Sequence, residues 1–153
     1  KIKYILNGGK CKIGVESTIV NLTTRPKILR LGGLEISRIE KVLKKKIPLA
    51  TRTKKIISPG QFRLHYSPGI PLRINVKKPK KNEAFMLIKK RKVTFKDYYY
   101  LTKKNNLKQA AKNLYSLLRK IKKDGYKMIA VEKIPNIGFG KTINDRLNRA
   151  SKF

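Results

Sequence analysis

The sequence is poor in acidic residues, cysteine and histidine. Its 153 residues include 8 aspartates and glutamates, one cysteine and one histidine, and no tryptophan. A lone Cys11 excludes an internal disulfide, and no histidine or cysteine spacing matches a structural zinc site. These shortages favour a reducing cytoplasm as the compartment, and we predict no metal ligands among the side chains.

Long apolar runs are missing as well. No run approaches the ~20 residues that a helix needs to cross a bilayer, and the first residues do not show the charged and then apolar pattern of a secretory signal. We therefore expect no membrane contact. With 40 % hydrophobic residues the chain can bury a modest core, and we favour two small units over one domain.

Basic residues are in large excess. Forty lysines and arginines give a net charge of +32, which would attract any polyanion and makes double-stranded RNA or tRNA a candidate partner. The basic runs are nevertheless spread along the chain, without one stripe interleaved with aromatic residues. Codon usage rich in A and T would produce the same composition, so an RNA-binding module and incidental basicity both stay open.

The first part of the chain has the pattern of a small sheet with one helix. Short β-rich runs predict strands at 2–6, 18–22 and 27–31. Apolar residues at helical spacing from Ile36 to Leu43 predict an amphipathic helix on that sheet, with Ser37 and Glu40 as a capping box. Because the chain begins without methionine and with a strand-like run, we interpret it as the C-terminal portion of a longer protein.

The second part has the pattern of a separate α/β unit. Three prolines and two glycines mark residues 58–71 as an ordered linker, so we expect domains at 1–57 and 72–153 on either side of it. Strands and helices are predicted to alternate as in a small Rossmann-like unit. The predicted strands are 72–76, 84–88, 98–101 and 127–131, and the predicted helices are 107–121 and 142–151.

Three polar clusters follow the apolar runs in a fixed order. They are Gly-Val-Glu-Ser-Thr at 14–18, Leu-Arg-Leu-Gly-Gly at 29–33, and Ser-Pro-Gly at 58–60 leading to His-Tyr-Ser-Pro at 65–68. Each cluster lies where an apolar run stops, and α/β proteins place ligand-binding groups at such strand ends. The three clusters therefore predict one shared site.

The order and spelling of these clusters resemble the threonylcarbamoyl-AMP synthase family, the YrdC-type enzymes. In that family a pattern GxESTxxD precedes LRPGG, a linker ending in HYAP and a smaller domain, and the segment 138–147 resembles the turn and helix that end this domain. The resemblance implies the C-terminal part of a YrdC-like twisted-sheet α/β domain, then a linker and a small Rossmann-like α/β domain. Leu31 replaces the usual proline, and Asn7 and Asn21 stand where aspartate is common.

The resemblance also implies a reaction. L-Threonine, bicarbonate and ATP would condense to threonylcarbamoyl-AMP with release of pyrophosphate, usually with the help of Mg²⁺. The product would be the activated precursor of a threonylcarbamoyl modification on tRNA. Ser17 would hold threonine, and Arg30 and Tyr66 would contact the nucleotide. A water-excluding lid would contain Gln61, Arg63 and His65. We assign no catalytic residue, and since the family's first half is missing here, we expect the chain alone to release no pyrophosphate.

Each assignment has a plainer alternative. The Ser17 hydroxyl could bond its local backbone at a strand start, Arg30 could be a solvated surface group, and His65 could serve packing alone. The segment 138–142 looks like a phosphate loop, but Pro135 occupies a position where that loop needs glycine, so we interpret the segment as the turn that starts the last helix. A decayed remnant without activity is a third possibility beside the synthase and the RNA-binding module.

Overall fold

The computed structural model describes residues 2–9, 11–23, 25–50, 57–60 and 66–151. Within them the protein is α/β, with a two-stranded antiparallel sheet followed by a four-stranded parallel sheet. The elements in chain order are β1 (Ile19–Asn21), β2 (Lys27–Arg30), α1 (Ile36–Leu43), β3 (Leu72–Arg73), β4 (Ala84–Lys89), β5 (Tyr98–Thr102), α2 (Leu107–Lys123), β6 (Ile129–Val131) and α3 (Phe139–Ala150).

The small sheet and α1 share a minor core. Strands β1 and β2 pair antiparallel, with Ile19 opposite Arg30. Ile28 is fully buried between the sheet and α1, as an amphipathic helix on this sheet requires, so that prediction is confirmed. Part of the apolar surface of this unit stays open, because Leu22 and Val42 are 69 % and 81 % exposed.

Two details of this first part were predicted wrongly. Residues 2–9 form no strand, and Leu6 is 99 % exposed, because an alternating pattern cannot form a strand without a neighbour to pair with. The capping box does not form either: Glu35 is the N-cap of α1 and makes no side-chain cap. Glu40 instead accepts hydrogen bonds from Lys46 and from the backbone of Ile47, where it fixes the chain just after the helix.

The parallel sheet has the strand order β3-β6-β4-β5 and carries α2 and α3 on one face. Alternate residues of β4 bury into that face, including Met86, against a row of small and branched residues on α2 and against Ile143 of α3. Each strand and helix predicted for this half is present, but β3 covers only Leu72–Arg73 of the predicted 72–76 and β6 only Ile129–Val131 of the predicted 127–131. Helix α3 begins three residues earlier than predicted, because Gly138 supplies a positive φ of 46° that turns the chain into it.

The other face of the parallel sheet is covered, among the described residues, by side chains and not by a helix. Phe85 and Leu87 of β4 pack there with Ala130, and the rings of Tyr98 and Tyr100 cover them from the edge strand β5. None of the helices in the described ranges is long and apolar enough to span a membrane.

Candidate functional site

The pairing of β1 and β2 brings the first two polar clusters together. Because the strands are antiparallel, the residues that precede β1 lie beside the residue that ends β2. The Arg30 guanidinium donates from Nε to the Ser17 carbonyl and from Nη2 to Ser17 Oγ, both at 3.0 Å. Arg30 is 9 % exposed, whereas Ser17 is an exposed residue.

Gly32 allows these two segments to touch. A Cβ atom at this position would overlap the backbone of Glu16, Ser17 and Thr18. The neighbouring Gly33 N–H donates to the Glu16 carbonyl at 2.8 Å, and the Thr18 hydroxyl donates to the Leu34 carbonyl. The glycine pair of the second cluster is therefore needed for direct backbone contact with the first.

Tyr66 connects the third cluster to the same place. Gly60 has a φ of +86° and lies against the Tyr66 phenol oxygen, and a Cβ at Gly60 would also come within 3.3 Å of Arg30 Cδ. Tyr66 is buried and stacks on Tyr115 of α2, with ring centroids 5.8 Å apart and an interplanar angle of 19°. The Tyr66 ring thus lies where the end of β2, the turn at Gly60 and helix α2 come together.

Arg146 of α3 also contacts that ring. Its guanidinium carbon is 4.4 Å from the Tyr66 ring centroid, which is within cation-π range. Its Nε and Nη2 atoms donate to Glu16 Oε2 at 3.2 and 3.1 Å, and the Tyr115 hydroxyl approaches the same oxygen at 3.4 Å. Glu16 is therefore held between α2 and α3.

The environment favours the ionised form of Glu16. Burial is the largest influence and opposes ionisation, but a hydrogen bond from the backbone, the charge and hydrogen bonds of Arg146, and the charge of Arg30 together lower the pKa of Glu16. Burial raises the pKa of Tyr66, so its phenol stays neutral and able to donate.

The lowered pKa of Glu16 predicts an acid-sensitive contribution to stability. A carboxylate whose pKa is depressed on folding stabilises the protein above its unfolded value, here 4.5, and loses that contribution as pH falls through the folded pKa. We expect the free energy of unfolding to fall less between pH 5 and pH 3 in Glu16→Gln than in the parent chain, as measured by urea denaturation. Equal losses in the two proteins would contradict this assignment.

Three of the six predicted site residues converge. Ser17 and Arg30 are in direct contact, and Tyr66 meets Arg30 through the Gly60 turn. The lid residues Gln61, Arg63 and His65 lie outside the described residues. No contact among the described residues assigns a catalytic residue.

Sequence reasoning missed Glu16, Tyr115 and Arg146. The signal for Arg146 was available, because it lies three residues after Ile143 and one before Leu147, so a charged side chain falls on the apolar face of the last helix. No cluster of three metal-ligating side chains occurs in the part of the chain that the structure describes.

Fold and site together define an α/β protein in which a serine and an arginine from two adjacent strand ends are in direct contact beside a parallel-sheet unit. The sequence model described as threonylcarbamoyl-AMP synthase, C-terminal domain, matches residues 34–152. The chain belongs to the threonylcarbamoyl-AMP synthase family.

Individual relatives support the same membership. The chain is 32 % identical to a threonylcarbamoyl-AMP synthase of Pyrococcus abyssi over 174 aligned positions, covering all of this chain and 50 % of that protein. It is 29 % identical to the Bacillus subtilis protein of the same name, covering 99 % of this chain and 49 % of that one. The chain thus spans about half the length of the curated relatives it matches.

A solved structure shares the fold. The crystal structure of P. abyssi Sua5 complexed with L-threonine superposes with a TM-score of 0.78 at 27 % identity, over 94 % of this chain and 48 % of that one. The predicted family is confirmed. Nothing in these comparisons supports the alternative of a basic RNA-binding module.

Proposed function

We propose that this chain supplies the C-terminal portion of an L-threonylcarbamoyladenylate synthase, a nucleotidyltransferase. The reaction joins L-threonine, bicarbonate and ATP into threonylcarbamoyl-AMP, with pyrophosphate and water as the other products, for modification of tRNA in the cytoplasm. The observation that carries the proposal is the contact between Ser17 and Arg30, which unites two family motifs at a surface facing solvent.

The chemistry of these side chains suits the substrates. Threonine carbamate and the ATP triphosphate are both anionic, so a site for them needs hydrogen-bond donors and positive charge. The Ser17 hydroxyl can donate to the threonine carboxylate while it accepts from Arg30. Within the described part of the chain Ser17 takes two of the five guanidinium N–H groups of Arg30, which leaves donors for a phosphate oxygen.

Tyr66 is the third residue of the proposed site, and we assign it to contact with the nucleotide. Its ring stacks on Tyr115 and contacts the Arg146 guanidinium, and its phenol oxygen lies against the Gly60 turn. In our proposal Gln61, Arg63 and His65, just before it in the sequence, form the lid that excludes water from the mixed anhydride. ATP would enter as its magnesium complex, and we assign no residue of this chain as a metal ligand.

The proposed domain division places the site at a junction. Residues 1–57 would complete a YrdC-like domain, 58–71 would be the lid linker, and 72–153 would be a Rossmann-like unit, which the parallel sheet and the β5-α2-β6 connection support. The exposed apolar side chains of α1 and of the turn after β1, such as Val42 and Leu22, are a surface that the other half of such a domain would cover.

A hybrid protein tests this function. Residues 2–151 would replace the matching half of the P. abyssi synthase, and pyrophosphate release would be followed with and without L-threonine. We expect threonine-dependent pyrophosphate release from the hybrid and none above background from the 153-residue chain alone. The reason is that the hybrid also contains the half of the P. abyssi synthase that this chain does not match.

A serine pair provides the matched control. Ser17→Ala in the hybrid should raise KM for threonine, whereas Ser116→Ala, on the exposed side of α2, should not. A folded hybrid that releases no pyrophosphate, or one in which both alanines act alike, would contradict the proposal.

A further inference from the structure

Arg146 is a charged residue in an apolar setting. It lies on α3 between Ile143 and Leu147, both of which enter the main core, and its side chain is 1 % exposed. Arginine is almost never fully buried unless it is paired. Its neighbour Asp145 provides one partner, but that carboxylate is on the same helix and also holds Arg149. The contacts that cross to other parts of the chain need a separate explanation.

Those contacts go to three distant segments. Arg146 donates to the Glu16 carboxylate, donates from Nη2 to the Leu31 carbonyl at 2.6 Å, and stacks its guanidinium on the Tyr66 ring. In sequence, Glu16 and Leu31 lie 130 and 115 residues away from it. The planar guanidinium fork satisfies a carboxylate, a carbonyl and an aromatic face at once, and an ammonium group cannot reproduce that geometry.

Each contacted residue adjoins or belongs to the candidate substrate site. Glu16 precedes Ser17, Leu31 follows Arg30, and Tyr66 is itself a proposed nucleotide contact. A second bond from the same helix acts in parallel, because the buried Thr142 hydroxyl donates to the Gly32 carbonyl at 3.1 Å. Helix α3 therefore forms hydrogen bonds with both segments of the chain that carry the Ser17 and Arg30 side chains.

Stability alone is a poor explanation for this arrangement. A buried ion pair costs desolvation energy that its attraction only partly returns, and an apolar replacement of similar size is often equally stable. An arginine here fixes the relative positions of the three contacted segments, because hydrogen bonds and ring contacts depend on direction and apolar packing does not.

We propose that Arg146 is a positioning residue for the substrate site: from α3 it sets the placement of the Glu16–Ser17 segment, the Arg30–Leu31 segment and the Tyr66 ring. This inference rests on the proposed function only for the identity of the ligand. The coupling of α3 to the three motif segments stands on the contacts themselves.

The test compares two lysine substitutions on the same helix in the 153-residue chain. Arg146→Lys keeps the charge but loses the fork, and Arg149→Lys is the matched control, because the hydrogen bonds of Arg149 within the described residues go to Asp145 on its own helix. We expect backbone amide resonances of Ser17, Gly32 and Tyr66 to move in Arg146→Lys and to stay in place in Arg149→Lys. Resonances of β6 in the sheet should stay in place in both.

Threonine binding provides the second readout. Titration with L-threonine, followed by the same resonances, should show affinity at least about tenfold weaker in Arg146→Lys than in the parent chain, the effect of losing one charged hydrogen-bond network. Arg149→Lys should bind like the parent. Arg146→Met, which keeps the buried volume without charge, serves if the lysine variant unfolds, and its site amides should move in the same way.

The outcomes separate the two proposals. Unmoved site amides together with parental threonine affinity in a folded Arg146→Lys protein would overturn the positioning role, because charge alone would then suffice. If the parent chain itself shows no response to threonine, that result counts against the proposed function, and the ligand-free comparison of the two lysine variants still decides the role of Arg146.

Discussion

Replacement of Gly32 by alanine should destabilise the protein by about 2–3 kcal/mol, the range of a severe overpacking change. The added Cβ would overlap the backbone of Glu16, Ser17 and Thr18, and a backbone cannot move aside as a flexible side chain can. The two motif segments would have to separate, which would break the Gly33 to Glu16 hydrogen bond. Urea denaturation measures the loss, and the Ser17 amide resonance reports the separation.

Gly8→Ala is the control for this prediction. A Cβ at Gly8 would meet nothing within 4 Å, and neither glycine has a positive φ, so the two variants differ in contact and not in backbone preference. We expect Gly8→Ala to leave the free energy of unfolding within about 0.5 kcal/mol of the parent. Equal effects of the two alanines would show that the close approach at Gly32 is not required.

Leu114→Ala should have the largest effect on global stability. Leu114 of α2 has no exposed surface and belongs to the main core between the parallel sheet and the helices. Truncation of a buried leucine leaves a cavity and costs about 2–5 kcal/mol. For a protein of this size that corresponds to a fall in Tm of roughly 10 °C, which thermal unfolding followed by circular dichroism would detect.

Leu117→Ala is the matched comparison for Leu114→Ala. Leu117 lies on the same helix and packs against the same core, but its side chain is only half-buried. The same substitution there removes less buried surface and opens a space that water can fill, so we expect less than about 1.5 kcal/mol. A loss at Leu117 equal to that at Leu114 would mean that the core is centred elsewhere.

The sequence predicted those elements whose patterns are local. Helix α2 follows from an apolar repeat at helical period, and the strands of the parallel sheet follow from short β-rich runs between turn residues. The strand expected at 2–6 failed because a strand depends on a partner that its own residues do not specify. The capping box failed because Glu40 bonds Ile47 instead, a contact set by the path of the chain after α1.

The residues of the candidate site show the same difference between local patterns, which the sequence predicts, and distant contacts, which it does not. Ser17 and Arg30 were predicted from motifs that lie close together in sequence, and one strand pair suffices to join them. Glu16, Tyr115 and Arg146 were missed because their meeting depends on how α2 and α3 pack against the first strands, and Tyr115 and Arg146 lie 99 and 130 positions from Glu16 in sequence. The charged residue on the apolar face of α3 was the only local sign.

The long sequence separation between Arg146 and Glu16 also affects when the candidate substrate site can form during synthesis. Chains are made from the N-terminus at roughly 5–20 residues per second, so a partner 130 residues downstream arrives on the order of ten seconds after Glu16 has left the ribosome. Such distant pairings also form late in folding, since a long loop must close first. The Glu16–Ser17 segment is therefore synthesised well before the α3 side chain that holds it in place.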